Sequence, residues 1–296
     1  MLTKDKENKL IELFIALDDF CMALDQWKQG RYPTPTRSPE LSDSELMCIC
    51  VFYHYSGYKC FQYYYQQMVE PVLSSYFPQL VSYERFLSLL LRILPGLYVF
   101  LKYCTLQSQQ TGFYFIDSKK LVVCDNRRIH SHRVFEGIAG RGKSSTGWFF
   151  GLKLHLVINN MGQIMNFLLT PGNIADNNHG VLETLLKEMK GECYGDKGYL
   201  STLFETFYGQ GLLLVTKVKA KMKNPLFKLE QAYKLRKRAL IESVNDILTS
   251  VFDLEHSRHR NPFNALAHIL SGLIAYCFYP NKPAVYLPHP DKLMIA

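Results

Sequence analysis

Apolar positions recur along the first part of the chain at helical spacing. Between Lys4 and Trp27 they fall at Leu10, Phe14, Leu17, Cys21 and Leu24, alternating steps of four and three that line one face of an amphipathic helix. Pro33, Pro35 and Pro39 then forbid helix and predict a loop. A second helix is expected from Ser42, whose hydroxyl can cap the Glu45 amide while Glu45 reaches back, and Gly57 should end it. Helical segments follow at Lys59 to Met68 and Tyr83 to Leu94, bounded by Pro71, Pro78 and Pro95. Residues up to about 108 thus read as all-helical.

After Thr111 the period changes. Phe113 to Ile116 is a buried run that ends on Asp117. Leu152, Leu154, Leu156 and Ile158 alternate with Lys153, His155 and Val157, and Asn160-Met161-Gly162 turns the chain into a strand from Ile164 to Leu169. A helix from Asp176 to Lys190 precedes a short strand, Cys193 to Gly195, ending on Asp196. A short helix near Thr202 to Tyr208, a strand from Leu212 to Val218 and one long helix from Phe227 to Val251 complete the series. Three strands, helix, strand, helix, strand, helix is similar to the order of an RNase H-like domain. The expected fold class is therefore α/β, a mixed sheet flanked by helices and preceded by an all-helical region. Three regions follow: 1–108 helical, 109–279 RNase H-like, and 280–296 a C-terminal tail.

Composition narrows the class. With 296 residues, 48% hydrophobic and 20% charged, the chain has apolar surface for two cores and little room for long disorder. A net charge of +8 raises the expectation of a polyanionic partner. None of the eight cysteines forms a Cys-x-x-Cys pair, which points to reduced thiols in a cytosolic protein rather than a zinc site. The polar N-terminus is unlike a signal peptide, and the apolar stretch Ile269 to Tyr279 is too short to span a bilayer.

The acidic residues carry the chemistry. Two-metal phosphoryl transfer needs hard oxygen ligands converging from separate elements. Asp117 and Asp196 close two strands that this topology places side by side, and Glu242 on the last helix can complete the set. Arg238, Glu242 and Asn245 share one helix face, so Arg238 can steady Glu242 or contact phosphate. Asp246, four residues after Glu242, rivals it as third ligand. Asp176 reads as the cap of the helix that follows it, and Asp125 as a loop residue.

Several blocks together resemble a known group. Ile116-Asp117-Ser118-Lys119, Asn126-Arg127-Arg128-Ile129-His130, Gly151-Leu152-Lys153-Leu154-His155, Thr170-Pro171-Gly172-Asn173 and Gly195-Asp196-Lys197-Gly198-Tyr199 look like a DDE-type insertion-sequence transposase, of the family numbered nine-eighty-two. The resemblance runs from about Leu41 to Tyr279. It implies a triad of Asp117, Asp196 and Glu242 holding two Mg2+ or Mn2+ ions. It also implies DNA binding by 1–108, catalysis by 109–279, a bacterial mobile element and at least a homodimer on paired DNA ends. The superfamily pattern Tyr-x2-Arg-x3-Glu-x6-Lys fits at Arg238 and Glu242, whereas Leu235 and Thr249 stand at the Tyr and Lys positions.

Other signals are weaker. Gly137 to Ser144 matches the nucleotide-binding pattern G-x-x-x-x-G-K-[ST], yet a strand-like Trp148-Phe149-Phe150 follows where a P-loop needs a helix N-terminus. No nucleotide is expected there, and Arg141 and Lys143 read as DNA contacts in a flexible loop. His130-x-x-Arg133 matches only a fragment of a tyrosine recombinase signature, so His130, His132 and Arg133 are assigned to phosphate, with Arg127 and Arg128 beside them. Lys197, Arg238, Arg258 and Arg260 join this set, and basic clusters at Lys217 to Lys223 and Lys234 to Arg238 extend it. The aromatic run from Tyr53 to Tyr65 reads as core packing. The function expected is transposition of double-stranded DNA in the bacterial cytoplasm at the nucleoid. A metal-dependent nuclease without strand transfer and a DNA-binding remnant without catalysis are the alternatives.

Overall fold

The computed structural model describes residues 2–33, 39–144, 147–199, 202–216, 229–255 and 259–286. The chain divides into two compact units, the first comprising Met1–Cys104, Leu248–Leu254 and His259–Tyr279, the second Thr105–Ile247, Glu255–Arg258 and Pro280–Ala296.

In the first unit, α1 (Lys4–Lys28) buries Leu10, Leu17 and Cys21 of the predicted stripe together with Leu13, while Phe14 and Leu24 are only partly buried. Helix α2 (Asp43–Ser56) opens on the expected capping box between Ser42 and Glu45, and Gly57 ends it at φ 88°. Nearly every side chain of α2 is buried, because α1 and the late helix α9 (Pro262–Cys277) pack on it. A short α3 (Phe61–Tyr64) runs on into a single π-helical turn, Tyr65–Val69.

Helix α4 runs from Tyr83 to Leu106, with Pro95 inside it rather than at its end. The carbonyl that Pro95 leaves without an amide is that of Leu91, an exposed residue, where water can serve it. Among the described helices α4 alone is long and apolar enough to cross a membrane. It buries Phe86, Leu90, Ile93, Leu97 and Phe100 at steps of three and four, as a core helix does.

The second unit has the RNase H-like architecture. Its strands are β1 (Phe113–Cys124), β2 (Gly140–Ser144), β3 (Gly147–Asn159), β4 (Ile164–Pro171), β5 (Gly191–Gly195) and β6 (Leu212–Thr216). They form one mixed sheet in the order β2-β3-β1-β5-β6. The outer edge of β3 carries β2 along Gly147 to Gly151 and β4 along Leu152 to Ile158, both antiparallel. Strands β5 and β6 run parallel to β1. Helices α5 (His179–Leu186) and α6 (Phe204–Gly209) cover one face, where Ile116, Val157, Leu182, Leu185 and Phe207 share a core. On the other face lie α7 (Leu229–Arg236) and α8 (Ala239–Ser250).

Several expectations about the second unit need correcting. First, β1 does not stop at Asp117 but continues to Cys124, because antiparallel pairing with β3 holds it to its end. Second, the Gly137 to Ser144 segment is not a loop, since Gly140 to Ser144 form β2. Its glycines are steric: a Cβ at Gly142 would collide with the carbonyl of Gly172, and one at Gly140 with the Asn173 side chain. Third, the helix predicted from Asp176 starts at His179, capped by Asn178. Fourth, the long last helix is two helices, joined through i→i+3 bonds such as Leu240 N–H to Lys237 O (3.0 Å). Lys234, expected on a basic surface, is buried against Glu192 (2.9 Å) with its ammonium over the Phe113 ring. That ion pair anchors α7 to β5.

Candidate active site

Side chains alternate across β1, so Phe113, Phe115 and Asp117 share the face on which α7 and α8 pack, while Ile116 and Ser118 face α5. Asn245, buried on α8, donates from Nδ2 to Asp117 Oδ2 at 3.3 Å. Burial pushes the Asp117 carboxyl up to about 6. The Ser118 amide and the Arg238 cation pull it back, and the Asp176 and Glu242 carboxylates raise it further.

Asp196 immediately follows β5. The parallel register pairs Phe115 with Tyr194, so Asp117 and Asp196 each lie two residues beyond that pair, Asp196 just past the end of β5. The packing is close at Gly195, where a Cβ would lie 3.0 Å from Ile116 Cγ2 and 3.2 Å from the Tyr199 side chain. The chain then folds into a short 3-10 turn, Lys197–Tyr199, with Tyr199 N–H donating to Asp196 O at 2.9 Å.

Glu242 sits in the first turn of α8, where the helix dipole favours an anion. Arg238, at the joint before that helix, holds it in an ion pair of 2.9 Å. The guanidinium is sheltered and the carboxylate more than half exposed. Asp246, one turn on, is exposed. Among the described residues no three acidic, His or Cys side chains stand close enough together to hold a metal ion.

A residue that sequence reading assigned elsewhere belongs to this neighbourhood. Asp176 caps no helix; it accepts from Ser118 Oγ (2.8 Å) and Lys153 Nζ (3.0 Å), and its charge acts on Asp117. Lys153, little exposed, also donates to the Ile174 carbonyl at 2.9 Å. The one sequence signal was its position just after Thr170-Pro171-Gly172-Asn173, a block already linked to the site. Beside it His155 is buried, bonded through Nε2 to Thr170 Oγ1 (2.9 Å), and burial lowers its pKa to about 4. Tyr199 is buried too, and burial, then the Asp117 and Asp176 charges, hold its phenol protonated.

The basic residues assigned to DNA divide. Arg127, Arg128 and His130 are exposed on the 3-10 turn that follows β1, with Arg127 paired to Asp125 (3.1 Å). Arg133, Arg141, Lys143 and Lys197 are exposed as well. His132 is not open in this way: its half-buried ring stacks on Phe135, centroids 5.8 Å apart. Arg238 is committed to Glu242. Arg260 is exposed in the first unit. Arg258 and the cluster Lys217 to Lys223 lie outside the described residues.

Residues 107–262, just over half of the chain and spanning β1 to the start of α9, match the family described as transposase DDE domain. The match is to that domain and does not reach the level of the nine-eighty-two group. No curated protein matches the chain.

Proposed function

Because this chain belongs to the transposase DDE domain family, we propose that it is a DNA transposase cutting at transposon ends and joining the freed 3′-hydroxyl to target DNA. The observation that carries this reading is the setting of Asp117: on β1 beside the parallel strand β5, which Asp196 follows, and acted on by the charges of Glu242 on α8 and of Arg238 just before that helix.

The donor set suits a divalent cation. Burial and two neighbouring carboxylates disfavour the charge on Asp117, which a hard cation would relieve, and carboxylate oxygens are the ligands Mg2+ and Mn2+ prefer. Asp117, Asp196 and Glu242 are the residues proposed to hold two such ions. When bound, these supply Lewis-acid polarisation of the scissile phosphate and a lowered pKa for the attacking hydroxyl.

The protein's own part is positional. Asn245 aims the Asp117 carboxylate, and Arg238 sets the Glu242 rotamer at the first turn of α8. Asp176 and Lys153 neutralise one another behind Ser118, keeping a fourth carboxylate from competing as a ligand. Exposed Lys197, next to Asp196 in the chain, and exposed Arg127, Arg128 and His130 on the turn after β1 are proposed to bind phosphates, so affinity should fall steeply with salt. The partners proposed are double-stranded transposon ends and target DNA, with at least two copies of the chain on paired ends, in the bacterial cytoplasm at the nucleoid.

Incubating the chain with labelled end DNA, a target plasmid and Mg2+ or Mn2+ tests this. Nicked ends and joined products are expected, both abolished by Asp117→Asn with DNA binding retained. Nicking without joining would make the chain a nuclease. Neither product, in the unsubstituted chain, would make it a binding remnant.

A further inference from the structure

An aromatic and cationic patch lies on the edge hairpin of the second unit. Lys143 of β2 and Trp148 of β3 are register partners, so their side chains leave the sheet on one face, and Arg141, two residues before Lys143, shares it. The Arg141 guanidinium lies 4.9 Å and the Lys143 ammonium 5.7 Å from the Trp148 ring. Among the described residues neither cation is paired with a carboxylate. The indole is nevertheless 53% exposed. Its backbone is fixed from the neighbouring turn, where the Asn126 amide donates to the Trp148 carbonyl at 2.7 Å. That turn also carries the exposed Arg127 and Arg128.

Left half in water, a tryptophan gives up about half of the free energy its full burial would return. Among the described residues about half of it stays uncovered, while two cations without a carboxylate partner hold the ring by its face. The complementary ligand offers a flat π-system with negative charge close on either side. A nucleobase and its flanking phosphates have that chemistry. In an intact duplex both faces of each base are already covered by its neighbours, so the ring calls for an unpaired base.

We propose that Trp148, with Arg141 and Lys143, is a stacking platform for single-stranded DNA. The proposal rests on the reading of this chain as a DNA-acting enzyme and adds to it the strand state that this edge of the sheet receives.

The sequence contains two tryptophans, Trp27 and Trp148, so Trp27→Phe isolates the signal of Trp148. The full-length Trp27→Phe chain is titrated, in EDTA, with a single-stranded oligonucleotide and with a closed-ended duplex of the same sequence. Single strands should quench the emission saturably, and the duplex should bind without comparable quenching. In a separate binding assay, Trp148→Ala should weaken single-strand affinity about 5- to 100-fold, while Trp148→Phe stays within about threefold. Arg141→Ala with Lys143→Ala should flatten the salt dependence by about one phosphate contact or more. Single-strand binding without any change in emission, equal quenching by the duplex, or unchanged affinity in Trp148→Ala overturns the platform and leaves DNA action standing. Failure of the chain to bind either DNA overturns both.

Discussion

Asn245 of α8 donates its amide to the carboxylate of Asp117 on β1 across 3.3 Å. This bond fixes the central acid of the sheet to the helix that carries Glu242, three residues earlier.

Asn245→Ala should therefore impair the proposed chemistry more than the fold. A hydrogen bond to a charged group contributes about 1.5–3 kcal/mol, so cleavage should slow roughly tenfold to a hundredfold. DNA affinity should stay the same. Equal cleavage rates for variant and parent, at matched fold by circular dichroism, would count against the assigned role.

Arg238→Ala separates stability from function. The pair with Glu242 joins residues four apart and one partner is more than half exposed, so its loss should shift stability by under about 1 kcal/mol. If Arg238 sets the position of a metal-holding carboxylate, activity should nonetheless fall well over tenfold, with partial recovery in Arg238→Lys. Denaturant melts alongside cleavage assays decide it.

Asp176→Ala leaves Lys153 little exposed and without its carboxylate. Breaking such a pair from one side costs about 3 kcal/mol. Adding Lys153→Met should restore much of that loss, since no charge then remains buried. A double-mutant cycle reads the coupling directly.

His155 should shape the acid limb of stability. Its folded pKa of about 4 lies below the usual histidine value, so the unfolded chain binds the extra proton between about pH 4 and pH 6.5. Stability from this group is then complete above the upper value and lost as pH falls, by an amount on the order of 2–3 kcal/mol. His155→Gln should flatten the slope of unfolding free energy against pH in this window. An unchanged slope would show that other groups set it.

Much of the architecture was legible because local physics decided it. The stripe Leu10, Leu17 and Cys21, the Ser42–Glu45 capping box and the alternation from Leu152 to Ile158 are written in residue spacing, and short-range sterics turn each into one element. That the strand carrying Asp117 and the strand Asp196 follows are parallel neighbours was legible from the order of elements.

Where distant segments compete, spacing says little. Nothing local tells β1 to continue past Asp117; its pairing with β3 does. Gly137 to Ser144 matches a phosphate loop in pattern, and only the approach of Gly172 and Asn173 shows Gly142 and Gly140 to be points of close packing in a strand. Neither proline nor glycine marks the break between α7 and α8, which the burial of Lys234 against Glu192 accompanies.

Sequence alone thus determined most of the elements, though not β2 or the break between α7 and α8, and the acids they carry, since helix and strand periods are set by the backbone. Which of those acids are withdrawn from water, and what each one bonds, only tertiary structure decided. Asp176 looked like a helix cap and is a partner of Ser118 and Lys153, because desolvation and hydrogen bonding depend on residues 58 and 23 positions away along the chain.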